Sequence, residues 1–199
     1  MALGKQAKTL TKTQVDAIAS YLGTRRYGLR DQTVFLLSVR AGLRAKEIAS
    51  LKWSMVLGAD GNIADAIHLT DDASKGQSGR IIPLNKQLRI HLGQMLNVAK
   101  SGRCFGPETA YVITTARSDH TSPQAIINMF GQWYTALGLI GCSSHSGRRT
   151  FITNAARKIS TVGGSLRDVQ MLAGHSSLAV TQRYIEGDSE ARRKVVDLT

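Results

Sequence analysis

The chain has 199 residues with 42% apolar and 20% charged side chains, which is typical of a folded globular protein, and an unusually high net charge of +12. No apolar run exceeds residues 34–37 and the N-terminus has no apolar stretch, so the sequence excludes a membrane-spanning helix and a signal peptide. Its two cysteines, Cys104 and Cys142, form no CxxC pair, which excludes a cysteine-based zinc module or a disulfide-rich secreted scaffold and favours a reducing compartment.

Apolar periodicity and end signals predict eight helices along the chain. Thr11 with Gln14, and Ser165 with Asp168, have the residue pattern of a capping box, and Gly42 is placed as a C-cap. The predicted helices cover residues 11–22, 31–41, 45–51, 86–100, 122–137, 147–159, 165–172 and 178–185.

Between the third and fourth helices the pattern changes to β-rich runs. Residues 53–57, 63–69 and 80–84 are separated by polar turns at 58–62 and 71–79, which predicts a small three-stranded antiparallel sheet. The predicted fold class is therefore α+β: one mostly helical domain with this small sheet near the N-terminal third.

The positive charge is concentrated in one part of the chain. Residues 73–167 carry twelve basic side chains and two acids, which accounts for ten of the twelve net positive charges. Arginine outnumbers lysine there, and guanidinium matches phosphate with paired hydrogen bonds. A nucleic acid held against one face of the domain explains this tract, and a solvated surface chosen for solubility is the alternative.

Common catalytic signatures are missing from the sequence. It contains no phosphate-binding GxxxxGK[ST] loop, no HExxH, no GxGxxG and no GxSxG. The five histidines include no pair at i, i+4, so a metal site is not expected.

Polar residues at the boundaries of predicted elements are the remaining candidates for chemistry. Taken singly, the candidates other than Arg148 have structural explanations. These are an ion pair for Arg44 with Glu47, loop solubility for a hairpin lysine, a helix cap or a satisfied turn for the histidines, and core packing for a tyrosine. The candidates are Arg44, Glu47, Lys75, His145, Arg148, His175 and Tyr184.

Taken together and in this order, these residues resemble the catalytic domain of the tyrosine recombinases, the phage integrase family. The matching segments are 41–48 (AGLRAKEI), 75–84 (KGQSGRIIPL), 145–148 (HSGR), 173–175 (AGH) and 181–184 (TQRY). The resemblance covers residues 10–186. The chain departs from the family pattern around the second arginine, where Gly147 replaces a usual leucine and Arg149 a usual histidine or lysine. We expect Gly147 to weaken the start of its helix and to loosen the placement of Arg148.

The resemblance implies a mechanism without metal, ATP or other cofactor. Tyr184 would be the nucleophile that forms a 3′-phosphotyrosyl bond, and His145 the base that takes its proton. Arg44 and Arg148 would bind the non-bridging phosphate oxygens. Lys75 would be the general acid, and His175 would donate a hydrogen bond to the phosphate. Glu47 would orient Arg44 or a neighbouring histidine. Further DNA contacts would come from Arg80, Lys86 and Arg149.

The implied function is a site-specific DNA recombinase of the integrase or invertase type. Two alternatives stay open: a type IB topoisomerase with the same chemistry, and a DNA-binding relative without turnover. The expected partners are double-stranded DNA, further copies of the chain in a dimer or tetramer, and accessory DNA-bending proteins, in the cytoplasm of a bacterial, archaeal or viral system and with no membrane.

The expected organisation has three parts. A basic N-terminal segment, 1–10, precedes the catalytic domain at 11–186, and a tail at 187–199 packs on its own domain or is exchanged between protomers. The chain resembles in size the short recombinases that invert fimbrial promoters, and a fragment of a longer protein is the alternative.

Overall fold

The computed structural model describes residues 7–74, 78–101, 105–184 and 196–197. Within them the chain forms helices and a single two-stranded antiparallel sheet. The α-helices are α1 Lys12–Gly23, α2 Gly28–Ala41, α3 Ala45–Ala49, α4 Lys86–Lys100, α5 Pro123–Ala136, α6 Ser146–Lys158, α7 Leu166–Ala173 and α8 Leu178–Gln182. The strands are β1 Ala66–Leu69 and β2 Arg80–Pro83, and short 3-10 helices cover Trp53–Met55 and Ile159–Val162.

The eight predicted helices are all present, because their end signals are local. The Thr11 hydroxyl accepts from the Gln14 N–H at 3.2 Å, and the Gln14 side chain accepts from the Thr11 N–H at 2.9 Å, so this capping box is confirmed. The second predicted box is confirmed as well, with Ser165 N–H donating to Asp168 at 2.7 Å. Gly42 ends α2 in the left-handed region, as predicted.

The prediction of a three-stranded sheet is wrong, because only two of the three β-rich runs form strands. β1 pairs with β2 from Ala66 opposite Pro83 to Leu69 opposite Arg80. Trp53 begins a 3-10 turn instead, and its N–H donates to the Ala110 carbonyl. The aromatic side chain that suggested a strand is buried there, with its ring 6.0 Å from that of Phe105.

The molecule has one main hydrophobic core and a smaller one beside it. The main core is built from α1–α5, the strands and the loop around Val112, with Phe35, Leu92 and Trp133 among its fully buried side chains. Leu10 joins this core, and its N–H donates to the Thr150 hydroxyl of α6 at 2.8 Å.

The smaller core consists of Ile152, Val169 and Ala173, and the Tyr184 ring packs against it. This core lies between α6 and α7. Because the Tyr184 ring packs against it, the core holds the residues that directly follow α8.

Three predictions concern residues outside the described ranges. The basic N-terminal segment 1–10 is described only from residue 7 onward. Lys75 belongs to the segment 75–77, and the tail 187–199 is outside as well, apart from Val196 and Asp197. Among the helices that are described, none is both long enough and apolar enough to cross a membrane.

Candidate functional site

Arg44 lies at the start of α3, directly after the turn that ends α2. Gly42 in this turn has φ 67°, and a Cβ there would lie 2.4 Å from the Phe151 ring, so glycine is required. Arg44 donates from Nη1 to Glu47 Oε1 and from its backbone N to Glu47 Oε2, both at 2.8 Å. These bonds fix the Arg44 side chain, which is 24% exposed, at the edge of a surface cleft.

Glu47 is fully buried, and a second arginine shares its carboxylate. Arg80 donates from Nη1 to Oε1 at 3.0 Å and from Nη2 to Oε2 at 3.1 Å, a paired arrangement. Burial alone raises the pKa of Glu47, but the hydrogen bonds and charge of Arg80, the Arg44 N–H and the charge of Arg148 outweigh it and lower that pKa. Glu47 is therefore ionised at neutral pH.

Arg148 is buried on the first turn of α6 and joins the ends of two other helices. Its Nη1 donates to the Gly42 carbonyl at 2.6 Å, and its Nη2 donates to the Ala173 carbonyl at 2.5 Å. Burial and the nearby charge of Arg44 lower the pKa of Arg148 to about 10, so it stays protonated at neutral pH. The carbonyls at the ends of α2 and α7 thus hold this guanidinium in place.

Gly147 allows the close packing that positions Arg148. A Cβ at Gly147 would lie 2.4 Å from Ser38 Oγ and 3.0 Å from Ser38 Cβ, so α6 meets α2 more closely here than any side chain permits. The sequence predicted a weak helix start and a loosely placed Arg148. The structure instead gives Gly147 a packing role and Arg148 two short hydrogen bonds.

The two candidate histidines lie beside these arginines in different surroundings. His175, 8% exposed, has Nδ1 2.9 Å from the Thr181 hydroxyl. Burial, then the charges of Arg148, Arg44 and Arg80, lower the pKa of His175 to about 4. His145 is exposed at the N-cap of α6, and desolvation with the charges of Arg148 and Arg44 also lowers the pKa of His145. Both imidazoles are therefore neutral at neutral pH.

Tyr184 lies two residues after α8, and its ring is close to His175 and Arg149. Its ring stacks on His175, with centroids 5.3 Å apart and planes 23° apart, and the Arg149 guanidinium carbon is 6.0 Å from its centroid. Tyr184, His145, Arg148 and Arg149 line one cavity of about 300 Å³. Arg44 and His175 line the neighbouring cleft, and Val180 borders both.

The fold brings together the predicted site residues that it describes, apart from Lys86. That lysine is exposed at the first residue of α4. Arg80 points inward to Glu47, with its side chain 6% exposed. Within the described ranges, no group of three His, Cys, Asp or Glu side chains is arranged to hold a metal ion.

The model of the Phage integrase family matches residues 8–190. The chain belongs to the phage integrase family. The predicted family resemblance, based on five short segments, is confirmed by this match.

Individual members of the family show the same relationship. The chain is 27% identical over 190 residues to tyrosine recombinase XerA of Pyrococcus horikoshii, a match that covers 96% of this chain and 60% of that protein. It is 30% identical over 180 residues to tyrosine recombinase XerD of Ralstonia nicotianae, covering 89% of this chain and 55% of that relative. The chain thus spans less than two thirds of the length of these relatives.

A solved structure of the family shows the same fold. The crystal structure of XerA recombinase superposes with a TM-score of 0.75 at 21% identity, covering 96% of this chain and 64% of that one. At this identity the likeness concerns the fold. The expected α+β, mostly helical recombinase fold is therefore confirmed, with the strand count corrected.

Sequence reasoning missed the groups that hold the site residues. Thr181 binds His175, and Gln170 Nε2 donates to the His175 carbonyl at 3.1 Å. Thr181 stands in the quoted segment three residues before Tyr184, which was an available signal. The carbonyls of Gly42 and Ala173, which bind Arg148, carry no signal of their own in the sequence.

Proposed function

We propose that this chain is the DNA strand-transfer domain of a site-specific recombinase, with Tyr184 as the nucleophile. The observation that carries the proposal is the cavity lined jointly by Tyr184, Arg148 and His145, beside the cleft that holds Arg44 and His175. A phenol, two guanidiniums and two imidazoles from four separate stretches of chain thus line two adjoining spaces, and this supports the binding of a DNA phosphate there. Structural packing alone does not require this combination.

In the proposed reaction the Tyr184 hydroxyl oxygen attacks a DNA phosphorus. The bond from that oxygen to phosphorus forms while the bond from phosphorus to the 5′-oxygen breaks, giving a 3′-phosphotyrosyl bond and a free 5′-hydroxyl. The phenol proton passes to His145, and the leaving oxygen takes a proton from Lys75. Because the phosphotyrosyl bond replaces the broken one, the reverse attack by a 5′-hydroxyl reseals the strand without ATP.

Arg44 and Arg148 supply the positive charge that the pentacoordinate transition state needs. Arg148 uses two of its five N–H groups on the Gly42 and Ala173 carbonyls, so it is oriented before DNA arrives. Such preorganised donors stabilise a transition state because they need no rearrangement during the reaction. Removing one donor of this kind costs roughly 10²–10³ in rate.

The neutral histidines fit the proton transfers that the reaction requires. His145 lies in the cavity with its pKa lowered, so it accepts a proton at neutral pH. His175 Nδ1 lies 2.9 Å from the Thr181 hydroxyl. The proposed reaction uses the tautomer in which Nδ1 accepts from that hydroxyl, so that the proton on Nε2 is donated to a phosphate oxygen. The Tyr184 ring stacked on His175 keeps the nucleophile next to that imidazole.

Double-stranded DNA is the proposed partner, with Arg149 and Lys86 among its phosphate contacts. One structural neighbour at TM-score 0.73 and 16% identity is the Tn1549 transposon integrase in complex with a circular intermediate DNA, covering 98% of this chain and 66% of that one. We extend the proposal to a dimer or tetramer on DNA, assisted by accessory DNA-bending proteins. The tail at 187–199 then docks on its own domain or on a neighbouring protomer.

The test is a nicked suicide substrate, from which the cleaved end diffuses away so that the covalent complex accumulates. Wild-type protein should form an adduct with DNA that survives SDS, in EDTA as well as without it. Tyr184→Phe should abolish the adduct while DNA binding persists. Tyr111→Phe should not, because the Tyr111 ring lies 5.6 Å from that of His120 in another cavity. An adduct formed by Tyr184→Phe would refute the assignment.

The same preparations separate the proposed function from its alternatives. Plasmid relaxation without exchange between two target sites would identify a topoisomerase. Binding with no adduct from wild-type protein would identify a non-catalytic relative. Strict dependence of the adduct on Mg²⁺ would refute the proposed mechanism.

A further inference from the structure

Arg80 is the first residue of β2, and its side chain is directed into the protein. All three guanidinium nitrogens donate to protein oxygens: Nε to the Leu172 carbonyl at 2.9 Å, Nη1 to Glu47 Oε1 at 3.0 Å and Nη2 to Glu47 Oε2 at 3.1 Å. Arg80 borders the cleft that holds Arg44 and His175, but its side chain is only 6% exposed, compared with 24% for Arg44. The two Nη groups of Arg80 are paired with the Glu47 carboxylate, whereas those of Arg148 bind only neutral carbonyls and leave its charge uncompensated. The sequence-based assignment of Arg80 to DNA contact therefore does not suit this geometry.

The Glu47 carboxylate receives four hydrogen bonds from two residues. Each oxygen accepts one bond from Arg80 and one from Arg44. Glu47 is fully buried, so its charge is not screened by water and must be balanced by the arginines around it. Arg80 cancels that single negative charge, which leaves Arg44 and Arg148 with a net charge of about +2 for a phosphate.

We propose that Arg80 is a positioning residue that neutralises Glu47 and thereby keeps the charge of Arg44 available to the DNA phosphate. The inference rests on the proposed function and adds a residue that acts through Arg44 without touching DNA. Without Arg80, Arg44 is the only side chain described in contact with the buried carboxylate, and the Arg44 charge is then largely compensated within the protein.

A second contact links Arg80 to the segment that carries His175. The Leu172 carbonyl is in the last turn of α7, where helix carbonyls lack partners of their own, and Arg80 Nε supplies one. Gly174 ends α7 with φ 60°, and a Cβ there would lie 2.9 Å from Arg80 Nη1. Arg80 therefore joins β2 and the Glu47 carboxylate to the last turn of α7, at a carbonyl three residues before His175.

The first measurement separates a positioning role from DNA contact. In Arg80→Met we expect the rate of adduct formation at saturating DNA to fall at least roughly tenfold, because the positive charge that meets the transition state is reduced. The salt dependence of DNA binding should keep its wild-type slope. A lost phosphate contact would instead reduce that slope by about 0.9. A reduced slope with an unchanged saturated rate would overturn the proposal.

The control is another arginine that binds a carboxylate and a carbonyl. Arg89 on α4 contacts the Asp65 carboxylate and the Ile63 carbonyl, and its side chain is 47% exposed. Arg89→Met removes the same number of atoms and the same charge as Arg80→Met. We expect it to leave the saturated rate within about twofold, because an exposed pair contributes little.

The second measurement compares the double variant with Arg80→Met. Only the charge argument predicts that the double variant is the faster of the two. Glu47→Gln removes the negative charge that Arg80 balances, so Arg80→Met/Glu47→Gln should react faster than Arg80→Met, by roughly tenfold. If Arg80 merely supports the fold, a second buried substitution makes the protein worse. A double variant no faster than Arg80→Met would refute the inference.

Loss of folding in the Arg80 variants and failure of the proposed function are each recognised by a separate measurement. Urea unfolding curves show whether Arg80→Met is folded at the assay temperature. If it is not, Arg80→Lys replaces it, and because the charge is retained we expect a saturated rate within roughly tenfold of wild type with an unchanged salt slope. A saturated rate more than roughly tenfold below wild type in folded Arg80→Lys would overturn the inference, because this variant retains the charge that balances Glu47. Failure of the proposed function is recognised independently, because wild-type protein would then form no adduct.

Discussion

Replacing Gly147 with alanine tests whether the approach of α6 to α2 positions Arg148. The added Cβ would lie 2.4 Å from Ser38 Oγ and 3.0 Å from Ser38 Cβ, whereas real Cβ contacts are essentially never shorter than 3.0 Å. Overpacking of this kind costs about 1–3 kcal/mol. The better helix propensity of alanine returns at most about 1 kcal/mol. We therefore expect Gly147→Ala to lower the free energy of unfolding by about 0–3 kcal/mol, with about 1–2 kcal/mol as the central value.

The same substitution should slow DNA cleavage, because Arg148 is the next residue. Its guanidinium is bound to the Gly42 and Ala173 carbonyls, so a shift of α6 misaligns it with both. Misplacement by about 1 Å costs on the order of 10²-fold in rate, and a shift of a few tenths of an ångström should cost roughly tenfold. Urea unfolding and adduct formation at saturating DNA measure the two effects.

Two variants control this experiment. Gly131→Ala makes the same change within α5, where a Cβ would meet nothing within 4 Å, and should be neutral or stabilising by up to about 1 kcal/mol. Ser38→Ala removes the hydroxyl that the new Cβ meets, so Gly147→Ala should cost about 1 kcal/mol less in that background. If Gly147→Ala stabilises the protein as Gly131→Ala does, the packing argument is refuted.

Three further predictions concern the site and the core. Thr181→Val removes the hydroxyl partner of His175 Nδ1 at similar volume, and should slow adduct formation roughly tenfold with DNA affinity unchanged; an unchanged rate contradicts the role given to His175. Because the pKa of His175 is about 4 in the fold, below its ordinary 6.5, the unfolded chain binds the proton first as pH falls. The free energy of unfolding should therefore decrease between pH 6.5 and 4, by at most about 1.4 kcal/mol per pH unit, and His175→Gln should remove that part of the decrease. Leu92→Ala, in the main core, should cost about 2–5 kcal/mol in urea unfolding without changing the saturated rate of the folded protein.

The helices and the family could be predicted from the sequence because their signals are short-range. Thr11 and Gln14 stand three residues apart, so their capping bonds form whatever the rest of the chain does. The family boxes are equally local, and they identified Arg44 and Tyr184 as candidates before any fold was known. The prediction of a third strand was wrong because the structure there depends on a long-range contact. Trp53 has strand propensity, but its backbone partner is Ala110, 57 residues further along the chain.

The sequence by itself determined the helical framework, the excess of positive charge and the residues that could meet a phosphate. Only the tertiary structure decided which arginine is paired with a buried carboxylate and which are not. Arg80 and Arg149 are both basic residues in the same charged tract, yet Arg80 binds Glu47 while Arg149 lines the cavity with Tyr184. The difference between the two arginines depends on the buried Glu47 carboxylate, which is 33 residues from Arg80 in the chain. Neither composition nor local spacing indicates that Glu47 and Arg80 are in contact.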